Sequence, residues 1–178
     1  LQWVLIGYSL AFGPSIGTLI GDLSRVGLRG VGMEAMGSVP HYIFMAFQMM
    51  FAIVTAAIVF GGVAERMKFK AYLVYIVLWS TFVYAPLAHW VWGGGLLAPG
   101  HLFKWLGFGE SAFALDFAGG LVVHISSGLT ALIAALAVSI ASTAKGDQKE
   151  LMANCWGGGA FQSLQQLRGI KRRTMQTI

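Results

Sequence analysis

Three long runs of this 178-residue chain contain no Asp, Glu, Lys or Arg: Pro40 to Ala64, Ala71 to Phe103 and Phe117 to Ala144. Each is longer than the roughly 20 apolar residues a helix needs to cross about 30 Å of hydrocarbon. In lipid, every backbone N–H and C=O must be satisfied internally, which leaves helices as the natural solution for runs of this kind. The expected fold class is therefore all-α and integral to a membrane, with three full transmembrane helices. Leu1 to Phe12 is apolar but short, and reads as the cut end of a fourth span. Charged residues make up 11% of the chain, against about 25% in soluble domains, too few to cover a water-facing surface. Cys155, the single cysteine, excludes a disulfide scaffold.

The net charge of +5 resembles a nucleic-acid footprint until the charges are located. They lie between the apolar runs, so membrane orientation accounts for them and no nucleic-acid partner is expected. Loop 65–70 carries Arg66, Lys68 and Lys70, and loop 143–150 carries Lys145 and Lys149. The alternate loops, about 14–39 and 93–115, carry Arg25, Arg29 and Lys104. Under the positive-inside rule the first pair is cytoplasmic and the second faces outward. Trp90, Trp92 and Trp105 cluster near that outer boundary, where indoles commonly anchor.

The most informative run is LDFAGGLVVHISSG, Leu115 to Gly128. Asp116 stands just before the third span, in the position of an N-cap whose carboxylate accepts from the first free N–H groups. His124 follows eight residues later, roughly 12 Å deeper at 1.5 Å per residue and close to the bilayer middle. An imidazole there should face the bundle interior or a polar pathway, either as a hydrogen bond between helices or as part of a proton or solute path. Phe47 and Phe51, four apart near the outer end of the Pro40–Ala64 span, project from one helix face. Trp92 ends the next span, followed by Gly93, Gly94 and Gly95, a backbone with little steric obstruction. An indole and a phenyl ring together can attract a cation, by about 0.5–2 kcal/mol depending on desolvation. Packing or anchoring is the alternative for each ring. His41, His89, His101 and His124 show no metal-ligand spacing, so neither metal nor cofactor is expected. Ser127 beside His124 leaves an intramembrane hydrolase as a further alternative, without an acid partner.

Taken together, LDFAGGLVVHISSG, AHWVWGGGLLAPG and FQMMFAIVTAAIVFGGVAERMKF resemble the ammonium transporter family, over roughly Leu1 to Leu151. The resemblance implies part of an eleven-helix protomer with an inverted repeat, a multi-pass cell-membrane protein assembled as a homotrimer, and not an enzyme. It implies an outer vestibule that recruits ammonium and a hydrophobic pore that passes the deprotonated species, ammonia, past two facing histidines, with separate proton passage in many members. Carried over, Trp92 resembles the vestibule tryptophan, Phe51 one of two stacked phenylalanines, and Phe47 a vestibule wall residue. Asp116 resembles the acid that stabilises the site without touching the ion, and His124 the first pore histidine. Membrane lipid and a cytoplasmic regulatory protein are implied partners. An ammonium sensor on the same fold is the second reading.

The pattern breaks near Cys155. Residues 1–154 are expected to form a partial transporter domain, whereas 155–178, with Arg168, Lys171, Arg172 and Arg173 and no apolar run, read as a tail foreign to the family pattern, for instance a shifted reading frame. The second pore histidine and second gate phenylalanine have no counterpart here, and this polypeptide alone is expected not to conduct ammonium.

Overall fold

The computed structural model describes residues 1–64 and 66–144, with side chains as far as Ile140; Lys145, Lys149 and the 155–178 tail lie outside the described residues. Leu1–Ala131 form one compact unit, and the described part of the second, from Leu132, is the remaining run of the last helix.

Helix α1 (Tyr8–Phe12) continues a π-helical turn, Trp3–Gly7. Two short hairpins follow, β1 (Ser15–Ile16) with β2 (Ile20–Gly21) and β3 (Ala35–Met36) with β4 (Val39–Pro40), the first in register Ser15 to Gly21 and the second Ala35 to Pro40. Next come α2 (His41–Val63), α3 (Phe69–Trp79), a π-helical turn Ser80–Tyr84 and α4 (Ala85–Val91). A short α5 (Leu102–Trp105) interrupts the following loop, and a third π-helical turn, Gly120–Ile125, leads into α6 (Ser126–Ala144).

Among the described residues, three helical stretches are long and apolar enough to cross a membrane: His41–Val63, Phe69–Val91 and Gly120–Ile140. The second of the three charge-free runs overshoots its helix, because the segment after Val91 is as poor in charge as the helix but rich in glycine, which favours turns. The Ser80–Tyr84 turn has a local cause. Pro86 stands in the first turn of α4, and a proline ring inside a long helix collides with the carbonyl four residues back. Widening the helix just upstream accommodates that ring.

Within Leu1–Ala131 the core is aromatic. Trp3 meets Tyr8, Phe12 and Tyr84 edge to face at 5.8, 6.2 and 6.0 Å, and Phe12 meets Phe44 at 5.1 Å. The apolar segment at the start of the chain contributes to this core, with Tyr8 to Phe12 all buried. Helix α2 buries His41, Gln48, Thr55, Val59 and Val63, spaced by seven or four so that they fall on one face. Phe47, Met50, Ile53, Val54 and Phe60 point outward, the apolar exterior that hydrocarbon favours. Gly62 lets α2 approach α6 closely: a Cβ there would stand 2.6 Å from that of Ala131.

Candidate functional site

Three sequence-distant segments meet around Trp92. Phe51 is half-buried, and its ring centroid lies 5.4 Å from that of Trp92 with the planes at 53°. Phe47 stacks edge to face on Phe51 at 5.1 Å and 89°, as the i,i+4 spacing on a helix dictates. It is 56% exposed. The three rings make one ladder, Phe47, Phe51, Trp92, from two helices. One placement differs from expectation. Phe51 stands near the middle of α2 rather than near its outer end, because α2 begins at His41, about 15 Å before Phe51 at 1.5 Å per residue.

The Trp92 indole is held from its polar edge, Nε1–H donating to the Asp116 carbonyl at 2.7 Å. Asp116 does not occupy the N-cap itself. That position is Gly119, whose φ of +84° is left-handed and suits glycine. The turn through Gly119 brings four successive N–H groups onto the Asp116 carboxylate: Gly119 and Gly120 donate to Oδ1 at 2.7 and 2.8 Å, Leu121 and Val122 to Oδ2 at 2.9 Å each. One side chain therefore satisfies all four orphan donors of this helix start. Its charge also faces the positive end of the helix dipole. Both oxygens are committed to backbone, so Asp116 acts on the ladder through its carbonyl.

His124 lies in the π-helical turn that Asp116 caps, its N–H donating to the Gly119 carbonyl at 2.9 Å. The side chain is exposed on the surface of the Leu1–Ala131 unit. The described residues do not cover that face. Its neighbours turn the other way: Ser126 and Ser127 are buried, Ser126 donating to the Val122 carbonyl and Ser127 to that of Val123 at 2.6 Å. With both hydroxyls spent on backbone one turn back, Ser127 and His124 form no nucleophile–base pair, and the hydrolase reading finds no support.

Gly93 and Gly95 also differ from expectation. They pack against His89 instead of leaving open backbone: a Cβ on Gly93 would collide with the Ala11 carbonyl and stand 2.7 Å from His89 Nδ1, and one on Gly95 would lie 2.8 Å from His89 Cδ2. His89 is fully buried and was not singled out from sequence. Nothing local marks it, since its partner carbonyl lies 78 residues away. Among the described residues no group of three or more His, Cys, Asp or Glu could hold a metal ion.

These features define a multi-pass α-helical membrane protein with an aromatic ladder where two membrane-length helices meet a capped third. A family model described as Ammonium Transporter Family matches residues 1–152, and the chain belongs to that family. It is 50% identical over 139 residues to an ammonium transporter of Bacillus subtilis, covering 76% of this chain and 31% of that protein. With the ammonium transporter Amt1 of Archaeoglobus fulgidus it shares 48% over 138 residues, 78% of this chain and 31% of the relative. The crystal structure of Saccharomyces cerevisiae Mep2 superposes with a TM-score of 0.63 at 40% identity, over 76% of this chain and 28% of that one. The chain thus spans about a third of the length of the curated relatives it matches.

Proposed function

We propose that the protein to which this chain belongs moves ammonium across a membrane, and that the Phe47–Phe51–Trp92 ladder recruits the cation before ammonia enters a pore lined by His124. The observation that carries the reading is the Phe51–Trp92 pair, 5.4 Å apart, with the indole nitrogen already engaged by Asp116. An indole so fixed has its π faces left for a ligand, and a desolvated cation gains about 0.5–2 kcal/mol there. The named activity of relatives such as the Bacillus subtilis ammonium transporter supports the choice of cation.

A cation that has exchanged water for aromatic faces loses hydrogen-bond partners, which favours release of its proton to solvent water on the side from which the cation came. The neutral ammonia left behind then gains from an acceptor or donor further along. His124 supplies both kinds of group on one ring. Asp116 keeps the indole and the start of the histidine-bearing turn in register, without contributing an oxygen to the ion.

Methylammonium uptake by a full-length family member carrying residues 1–144 of this chain in place of its own tests the reading. Trp92→Leu and Phe51→Leu are each expected to raise the half-saturation concentration by about 2- to 30-fold, the range a lost cation–π contact spans. His124→Ala is expected to change maximal rate or ion selectivity instead. Unchanged half-saturation in both aromatic variants would remove the recruiting role.

A further inference from the structure

The first turn after α4 is hung on one buried imidazole. His89 Nδ1 lies 2.9 Å from the Ala11 carbonyl, and because a carbonyl only accepts, Nδ1 carries the proton. Nε2 lies 2.9 Å from the Ser15 hydroxyl, at the start of β1. Ala11 belongs to the last turn of α1, where carbonyls lack partners within the helix. The backbone of the same residue closes the helix it sits in: the His89 carbonyl accepts from Gly93 at 3.1 Å and from Gly95 at 2.9 Å. Glycine at 93 and 95 leaves room for the ring beneath this reversal. Trp90 adds a second tie to the same hairpin, its Nε1–H donating to the Leu19 carbonyl at 2.7 Å.

Trp92 is the residue between these anchors, the C-cap of α4 with φ of −111° and ψ of −24°. It sits one turn beyond His89, and its direction toward Phe51 follows from where the chain leaves α4. We infer that His89 is a positioning residue for the Trp92 ring: by fixing the end of α4 to α1 and to the first hairpin, it sets the height and tilt at which the indole faces Phe51. His89 itself lies under the turn, fully buried, and reaches no ligand. The inference rests on the aromatic recruiting site proposed above for its consequence in transport, but the positioning itself is a statement about the fold.

The test uses the same full-length carrier, labelled with 5-fluorotryptophan, the Trp92 resonance being assigned by its loss in Trp92→Phe. His89→Leu, of similar bulk and without nitrogen, is expected to shift that resonance and to raise half-saturation for methylammonium by about 3- to 30-fold, as for a displaced cation–π partner. His89→Asn keeps an N–H near the position of Nδ1 and is expected to restore both readouts substantially. In a Trp92→Leu background, His89→Leu is expected to add nothing further, the non-additivity of residues acting through one group. An unmoved Trp92 resonance in folded His89→Leu protein, or multiplicative effects of the two substitutions, overturns the inference. Should His89→Leu fail to assemble, Ser15→Ala removes only the Nε2 partner and is held to the same resonance criterion. If Trp92→Leu alone leaves half-saturation unchanged while the resonance still responds to His89, the recruiting site falls and the positioning role stands.

Discussion

Asp116 brings two oxygens to four donors, and the consequence is a prediction at the level of one side chain. Asp116→Ala leaves the N–H groups of Gly119, Gly120, Leu121 and Val122 without an acceptor at the start of a membrane-length helix. Loss of an ordinary cap costs about 1 kcal/mol, and bonds to a charged acceptor are stronger, so a loss of about 3 kcal/mol is expected. Asp116→Asn retains one oxygen but turns an NH₂ group toward two donors, and should fall between the alanine variant and the parent. Thermal unfolding in detergent measures the order, and an alanine variant as stable as the parent contradicts it. The sequence made Asp116 legible as a cap, since an acid before an apolar run has few other uses. Its fourfold grip was hidden, because that depends on the left-handed turn at Gly119. His89 was hidden for a different reason: its partners, Ala11 and Ser15, are neighbours only once α1 and α4 have packed.

Whole helices were the most legible elements, because absence of charge over a bilayer's thickness is a strong signal, yet their ends and interiors were less so. The run from Pro40 to Ala64 matched α2 within one residue at each end, whereas the run from Ala71 continued twelve residues past Val91 into an uncharged loop. The π-helical turns at Trp3–Gly7, Ser80–Tyr84 and Gly120–Ile125 left no trace in the pattern, since a single widened turn barely disturbs a segment that is apolar on every side. The segment before α2 offers a prediction in pH. His41, at the head of α2, is buried between Tyr8, whose hydroxyl lies 2.7 Å from Nε2, Arg25 at 3.1 Å from the same nitrogen, and Glu34 at 3.1 Å from Nδ1. Glu34 is held below its ordinary value of 4.5, first by its own backbone N–H, then by His41 and the Gly32 N–H. A depressed carboxylate contributes stability that is present above the unfolded value and lost as pH falls through the folded one. The melting temperature of the parent should therefore exceed that of Glu34→Gln at neutral pH, and the gap should close below about pH 4.5. A gap independent of pH would assign the loss to shape rather than charge.

At the scale of the whole molecule, the described fold sorts its loops by end, and the charges then give those ends a side. Trp90 donates to the Leu19 carbonyl, and the Leu97 carbonyl accepts from Ala114, so the hairpin region and the loop from Trp92 to Gly119 gather at one end of the Leu1–Ala131 unit. The turn before Phe69 lies at the far end of α2 and of the Phe69–Val91 stretch, each about 34 Å long at 1.5 Å per residue for 23 residues. That distance is a bilayer's thickness, so the two groups of loops emerge on opposite faces. Arg66, Lys68 and Lys70 sit in the short turn, where basic residues weigh most, against Arg25, Arg29 and Lys104 spread over two longer loops. The turn should therefore be cytoplasmic and the Trp92 ladder external, the side from which a cation would be recruited. With Cys155 replaced by serine, a single cysteine at Ser111 should react with a membrane-impermeant maleimide added to intact cells, whereas one at Met67 should react only after the cells are opened. The reverse pattern would place the aromatic ladder inside, and the ladder would then meet ammonium only after it had crossed.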